Sequence, residues 1–261
     1  MPSVNVKGVR LNYLEQGTGD EIIVFVHGML ETSRCWKEVL ELLPTKYHAY
    51  ALDLRGFGQS ERVKQGFTMA QFAEDVYNFS QQLGLGRFTY IGHSIGGGIG
   101  MQLALEHPEV LKALVLVATV PAHGLELPPD MLALVQGIPD MTTEAVRGLV
   151  PFFVTTPLSE ERIQELVNDV FLMDREAYLE CTEAYRFFNV EKRLTEIDLP
   201  TLMISGDKDA TNPLDDQRRT AKGIKGCRHV IFEGNAHFLQ VESPQKFVDL
   251  LASFIKEVST G

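Results

Sequence analysis

Long apolar runs are missing from this chain. No stretch approaches the ~18 consecutive apolar residues a membrane span requires, and Met1–Gln16 has no apolar signal region; no membrane partner is expected. Clustered cysteines are missing as well. The three present, Cys35, Cys181 and Cys227, are odd in number and widely spaced. They form no C-x-x-C and no zinc-ligand pattern, and read as reduced thiols of a cytoplasmic protein. Basic blocks are the third absence. With 24 lysines and arginines against 35 acidic residues the net charge is −11, and no basic stripe follows a phosphate backbone, so nucleic acid is not the expected partner. Internal repeats and low-complexity tracts are also absent.

What is present is an ordinary globular balance, 44% hydrophobic and 23% charged over 261 residues. That length suits one large domain, or a domain carrying an insertion, with a core of normal size. Apolar, β-branched runs alternate with amphipathic segments. Val9–Gly17 alternates like an exposed strand, Glu21–Gly28 reads as a buried strand ending in His-Gly, and His48–Ser60 as a strand followed by a glycine turn. Thr68–Gly84 has the helical stripe Met69, Phe72, Val76, Phe79 and Leu83, opened by a Thr68/Gln71 capping box. Arg87–Ser94 is a strand, Ile95–Glu109 its helix, and Leu111–Val120 another buried strand. Such alternation predicts an α/β fold with a mostly parallel, doubly wound sheet.

From Pro121 to Leu199 the rhythm stops, and only helices follow. Ser159–Leu172 places Ile163, Leu166, Val167, Val170 and Phe171 on one face; Asp174–Phe188 does so with Tyr178, Cys181, Tyr185 and Phe188. The sheet resumes at Pro200–Pro213 and Cys227–Leu239. A last helix follows, with Ser243 as N-cap and Pro244 at N1. The expected plan is an α/β core of residues 1–120 and 200–261, interrupted by a helical cap over 121–199.

Between the third buried strand and its helix stands Gly92-His93-Ser94-Ile95-Gly96, a G-x-S-x-G in the strand–turn–helix context of a nucleophile elbow. The turn forces strained angles on the serine, and side chains two residues to either side would collide, so glycine is required there. Gly97, Gly98 and Gly100 let the helix approach neighbouring strands closely. A serine needs a base, and the base an orienting acid. Of seven histidines, His48 and His229 open strands, His107 ends a helix, His93 lies within the elbow, His123 falls in the insert and His27 belongs to a turn. His237 follows the last strand in a loop, where such sheets build their sites. The preceding strand ends in a loop offering Asp207 and Asp209, and spacing alone does not separate them.

"VHG", "LDLRGFGQS", "GHSIGG", "SGDKDATNP" and "GNAHF" together resemble the α/β-hydrolase superfamily over essentially the whole length. The resemblance implies Ser94 as nucleophile, His237 as base and Asp209, fourth in the G-x-x-D run from Gly206, as acid. It also implies backbone N–H groups of Met29 and Ile95 as an oxyanion hole, each worth roughly 3 kcal/mol in the transition state. Asp53, Arg55 and Ser60 look like the family's structural turn. Serine rather than aspartate at the elbow argues against haloalkane dehalogenase and epoxide hydrolase chemistry. The HGGG run of lipase-type esterases and the HGGPG of proline iminopeptidases are absent, as is the proline-containing loop of perhydrolases.

The expected activity is hydrolysis of small to medium apolar acyl esters or lactones through an acyl-enzyme, with no metal or organic cofactor. The cap closes the substrate pocket, for which Phe153, Phe171, Tyr185, Phe188 and Phe238 are the candidate lining. C–C bond hydrolysis or acyl transfer on the same triad is an alternative, and so is a hydrolase-fold ligand receptor with weak turnover. Sequence leaves the oligomeric state open.

Overall fold

The computed structural model describes residues 1–260. Eight strands form one sheet: β1 (Ser3–Val6), β2 (Val9–Gly17), β3 (Glu21–Val26), β4 (Tyr47–Leu52), β5 (Phe88–His93), β6 (Leu111–Val117), β7 (Thr201–Gly206) and β8 (Arg228–Phe232), in the order β1-β2-β4-β3-β5-β6-β7-β8. The β1–β2 and β2–β4 pairs are antiparallel, and every other pair is parallel. β1 joins β2 through Lys7-Gly8, both at positive φ, the twist a two-residue hairpin turn demands.

Because the strands are covered on both faces, successive residues enter different cores. Val24 and Val26 pack into one beneath α2 (Met69–Gln82) and α3 (Ile95–Glu106). Ile23 and Phe25 pack into the other, with Trp36, Phe247 and Leu251, beneath α1 (Lys37–Leu42) and α10 (Pro244–Thr260). Continuous apolar strands are what such double coverage requires. α8 (Leu214–Gly223) links β7 to β8, and the short α9 (Leu239–Glu242) precedes α10.

Four helices separate β6 from β7: α4 (Pro129–Gly137), α5 (Thr143–Phe153), α6 (Glu160–Val170) and α7 (Arg175–Arg186). Their own small core gathers Ile138, Val146, Val167, Val170 and Tyr178. α6 is also fastened to the segment after β3 by charge: buried Arg162 pairs with Glu38 and Glu165, and buried Asp169 pairs with Arg34 and accepts from Thr32 Oγ1 at 3.0 Å. Parallel β3, β5, β6, β7 and β8 bring their C-terminal ends to one edge of the sheet, the place where loops of such folds assemble sites. Asp53 organises the turn after β4, accepting the N–H groups of Ser33 and Gln59, while Ser60 Oγ donates to its carbonyl. Arg55 pairs with buried Asp75 on α2.

Candidate active site

Ser94 stands between the last residue of β5 and the first of α3, at φ 53° and ψ −115°. It is a non-glycine residue in a left-handed region and is held there from several sides. Its N–H donates to the Val117 carbonyl at 2.9 Å, and its own carbonyl accepts from Gly97 and Val120. A Cβ at Gly92 would meet the carbonyl of Gly96, and one at Gly96 would stand 2.6 Å from the Val26 carbonyl oxygen. Neither space is available, which is why the elbow carries glycine on both sides.

His237 lies in the loop after β8, and its Nδ1 is 2.9 Å from Asp209 Oδ2 in the loop after β7. Asp209 Oδ1 accepts the N–H groups of Thr211 at 2.8 Å and Asn212 at 3.0 Å. Burial alone would raise the Asp209 carboxyl, but His237 and those N–H groups outweigh it and hold the group below the usual aspartate range. Asp207, the other acid of this loop, accepts Gly234 N–H and pairs with Lys208. Geometry therefore separates two aspartates that sequence spacing left equal.

Ser94 and His237 open onto one cavity of about 430 Å³. Met29 and Ile95 line the same space. Ile95 begins α3, where a backbone N–H has no intrahelical acceptor. Of the aromatic candidates, Phe153, Tyr185 and Phe238 line the cavity, Phe153 and Phe238 stacking with centroids 5.1 Å apart. Two expectations fail. Phe171 follows the last residue of α6 and turns outward, 42% exposed. Phe188 is buried in the main core, away from the cavity lining. In the first case the buried face of α6 ends at Val170, and in the second an aromatic serves packing rather than substrate. Arg186 is held by Glu183 and takes no part in the lining.

Two residues that sequence reasoning passed over, Glu31 and His93, border the same cavity beside Met29 and Ser94. Glu31 and His93 are fully buried, with Glu31 Oε2 and His93 Nδ1 2.6 Å apart. The only sequence signal was a lone acid, Glu31, just after the apolar His27-Gly28-Met29-Leu30 turn. Among the described residues no three His, Cys, Asp or Glu side chains converge as metal ligands, and no helix is long and apolar enough to cross a membrane.

Residues 21–156 match the profile of the alpha/beta hydrolase fold family. This chain belongs to the α/β-hydrolase family. A 3-oxoadipate enol-lactonase of Acinetobacter baylyi is 26% identical to this α/β-hydrolase, over 97% of this chain and 96% of the relative. A 2-hydroxy-6-oxo-6-(2'-aminophenyl)hexa-2,4-dienoic acid hydrolase of Metapseudomonas resinovorans is 24% identical, over 97% and 89%. Among solved structures, an esterase from Exiguobacterium antarcticum superposes with a TM-score of 0.89 at 24% identity, covering 96% of this chain and 97% of its own. The α/β-hydrolase fold thus occurs among relatives named as an esterase, an enol-lactonase and a dienoic acid hydrolase, and fold alone does not choose between them.

Proposed function

We propose that this α/β-hydrolase cleaves neutral carboxylic esters or lactones of small to medium apolar acyl groups through an acyl-enzyme on Ser94. The observation that carries this is the opening of Ser94 and of His237, whose ring is held from behind by Asp209, onto one apolar cavity. His237 takes the Ser94 proton as Oγ attacks the ester carbonyl, and the oxyanion meets the N–H groups of Met29 and Ile95. The alcohol leaves with the proton from His237, and water hydrolyses the acyl-enzyme by the same route. Asp209 fixes the imidazole tautomer and stabilises the imidazolium. Residues 121–199 act as the cap of a core formed by 1–120 and 200–261, and the three free cysteines fit a cytoplasmic setting.

The lining favours this reading over C–C hydrolysis of a carboxylic acid. Leu134, Val135, Leu149 and Phe152 reach it from the cap, and no lysine or arginine borders it. The histidines that border it, His93 and His237, already face Glu31 and Asp209, so an ionised substrate would enter a mostly apolar cavity without a free counter-charge, which is strongly unfavourable.

The test is hydrolysis of p-nitrophenyl esters from acetate to decanoate by wild type and Ser94→Ala. Turnover by the wild type with a loss of roughly a thousandfold or more in the variant is expected. No turnover of any ester would overturn the reading, and preferential cleavage of dienoic acids would replace it with the C–C one.

A further inference from the structure

The three loops that carry Met29, Ser94 and His237 come from β3, β5 and β8, far apart in the chain. One buried polar cluster joins all three. Glu31 Oε2 accepts the Gly28 N–H at 2.7 Å and faces His93 Nδ1 at 2.6 Å, and Glu31 Oε1 accepts Gln240 Nε2 at 3.0 Å. His93 Nε2 faces the carbonyl oxygen of His237 itself, at 2.9 Å. The loop after β3, the elbow and the histidine loop are therefore tied at one point, one residue or two from each proposed functional atom.

The protons of this cluster can be counted. A carbonyl only accepts, so His93 Nε2 carries a hydrogen. Nδ1 faces a carboxyl oxygen that already accepts Gly28 N–H, and the other oxygen already accepts Gln240. All three neighbours of the carboxyl group are donors if it is ionised and His93 carries hydrogens on both nitrogens. The remaining titratable groups facing the pair are His27, Cys35, Asp209 and the His237 ring, whose centroid lies 4.6 Å from that of His93. Two opposite charges in direct contact can be buried where each alone cannot.

We propose that Glu31 and His93 form a permanent carboxylate–imidazolium pair that positions the oxyanion loop and the His237 loop around Ser94. Both are positioning residues; neither reaches the substrate's reacting atoms in this role. The role rests on the esterase reading given above, whereas the charge state of the pair does not.

Glu31→Gln tests it, because glutamine keeps the shape but offers one acceptor oxygen to the three donors. With p-nitrophenyl butyrate, kcat is expected to fall about 10- to 100-fold, somewhat less than the loss of a whole oxyanion donor, while KM stays within about twofold. A trifluoromethyl ketone of matching chain length adds to Ser94 Oγ at its carbonyl carbon. The serine proton passes to His237, and the ketone oxygen becomes an oxyanion. Its affinity should fall in parallel with kcat, while an unreactive amide of the same chain binds as to wild type. Unchanged kinetics would overturn the proposal, as would ketone and amide weakening together. If Glu31→Gln does not fold, the wild type decides. ¹⁵N NMR of His93 near neutral pH should report both ring nitrogens protonated, and a neutral ring overturns the pair. A wild type without ester turnover would remove the esterase reading, and the NMR result would still judge the pair separately.

Discussion

Asp209 touches neither the cavity nor the substrate's expected position, yet it accepts the His237 Nδ1–H and two backbone N–H groups. Asp209→Asn should preserve the packing while presenting the ring with the wrong tautomer. A loss of about 10³- to 10⁴-fold in kcat is expected, with little change in KM. The carboxyl also bears on stability. Burial opposes its ionisation, but His237 and the N–H donors more than compensate, so its folded value lies below the unfolded one. Such a group stabilises the fold above the unfolded carboxyl pKa and ceases to as pH falls through the folded value. The melting temperature of Asp209→Asn should therefore lie below that of wild type near neutrality, and the two should converge in acid. A gap that is constant with pH would contradict this. At this scale Ser94 and His237 were legible from local context, a strand, a turn and a helix around one, a post-strand loop around the other. Spacing left Asp209 and Asp207 equal; the family resemblance favoured Asp209, and it is Asp209 that lies against His237. Glu31 and His93 were not legible, since a lone acid in a loop is common and its partner lies 62 positions away.

Glycines of α3 illustrate the element scale. Gly100 lies inside a helix, where alanine would be favoured by about 1 kcal/mol on intrinsic propensity. A Cβ there, however, would enter the space of the Tyr90 ring and meet Leu114 Cδ1 at 3.0 Å, both from strands beneath. Both neighbours are fully buried and have nowhere to withdraw. Overpacking of about 1–3 kcal/mol should outweigh the propensity gain, so Gly100→Ala is expected to lower the urea midpoint of unfolding. Gly137, with open space about it, serves as the control. A higher midpoint for Gly100→Ala would mean that α3 does not need its close approach to β5. Elements with strong apolar periodicity were legible to within a few residues, from β2 to α10. Those that escaped are short or bury little apolar surface. β1 is four residues long and α1 is six, and the buried face of α8 consists of Gln217, Thr220 and Ala221. A reading built on hydrophobic spacing has almost nothing to detect in such a face.

For the whole molecule, the helical insertion was legible as an interruption in the strand–helix rhythm, whereas its docking was not. That docking depends on charges brought together by the fold. Asp169 on α6 lies against Arg34 and Thr32, and burial pushes its carboxyl up to about 6 despite the nearby arginines. Raised above the unfolded value, it binds a proton more tightly in the folded protein, so its own contribution to stability declines as pH rises between about 4 and 6. Asp169→Asn lacks this titration. Melting curves across that range should show the variant gaining on wild type as pH increases, and parallel curves would exclude the effect. Nor did sequence show which cap aromatics face the cavity, because Phe153 is the last residue of α5 and Phe171 immediately follows α6, and only the packing of the two helices distinguishes them.

The cap should also set acyl length. Ser94, Met29 and Ile95 line the cavity from the sheet edge, while Leu134, Val135 and Leu149 line it from the cap. On the ester reading proposed above, an acyl chain on Ser94 would extend toward α4 and α5 as it lengthens. Leu149 is only half-buried, so Leu149→Trp can fill cavity space without replacing a core side chain. Decanoate should lose about tenfold or more in kcat/KM, the scale on which an apolar pocket discriminates small changes in substrate size. Acetate, which does not reach the cap, should stay within about twofold by the same argument. Equal losses for both esters, with an unchanged melting temperature, would place the acyl chain elsewhere and leave the cap a cover with no part in specificity.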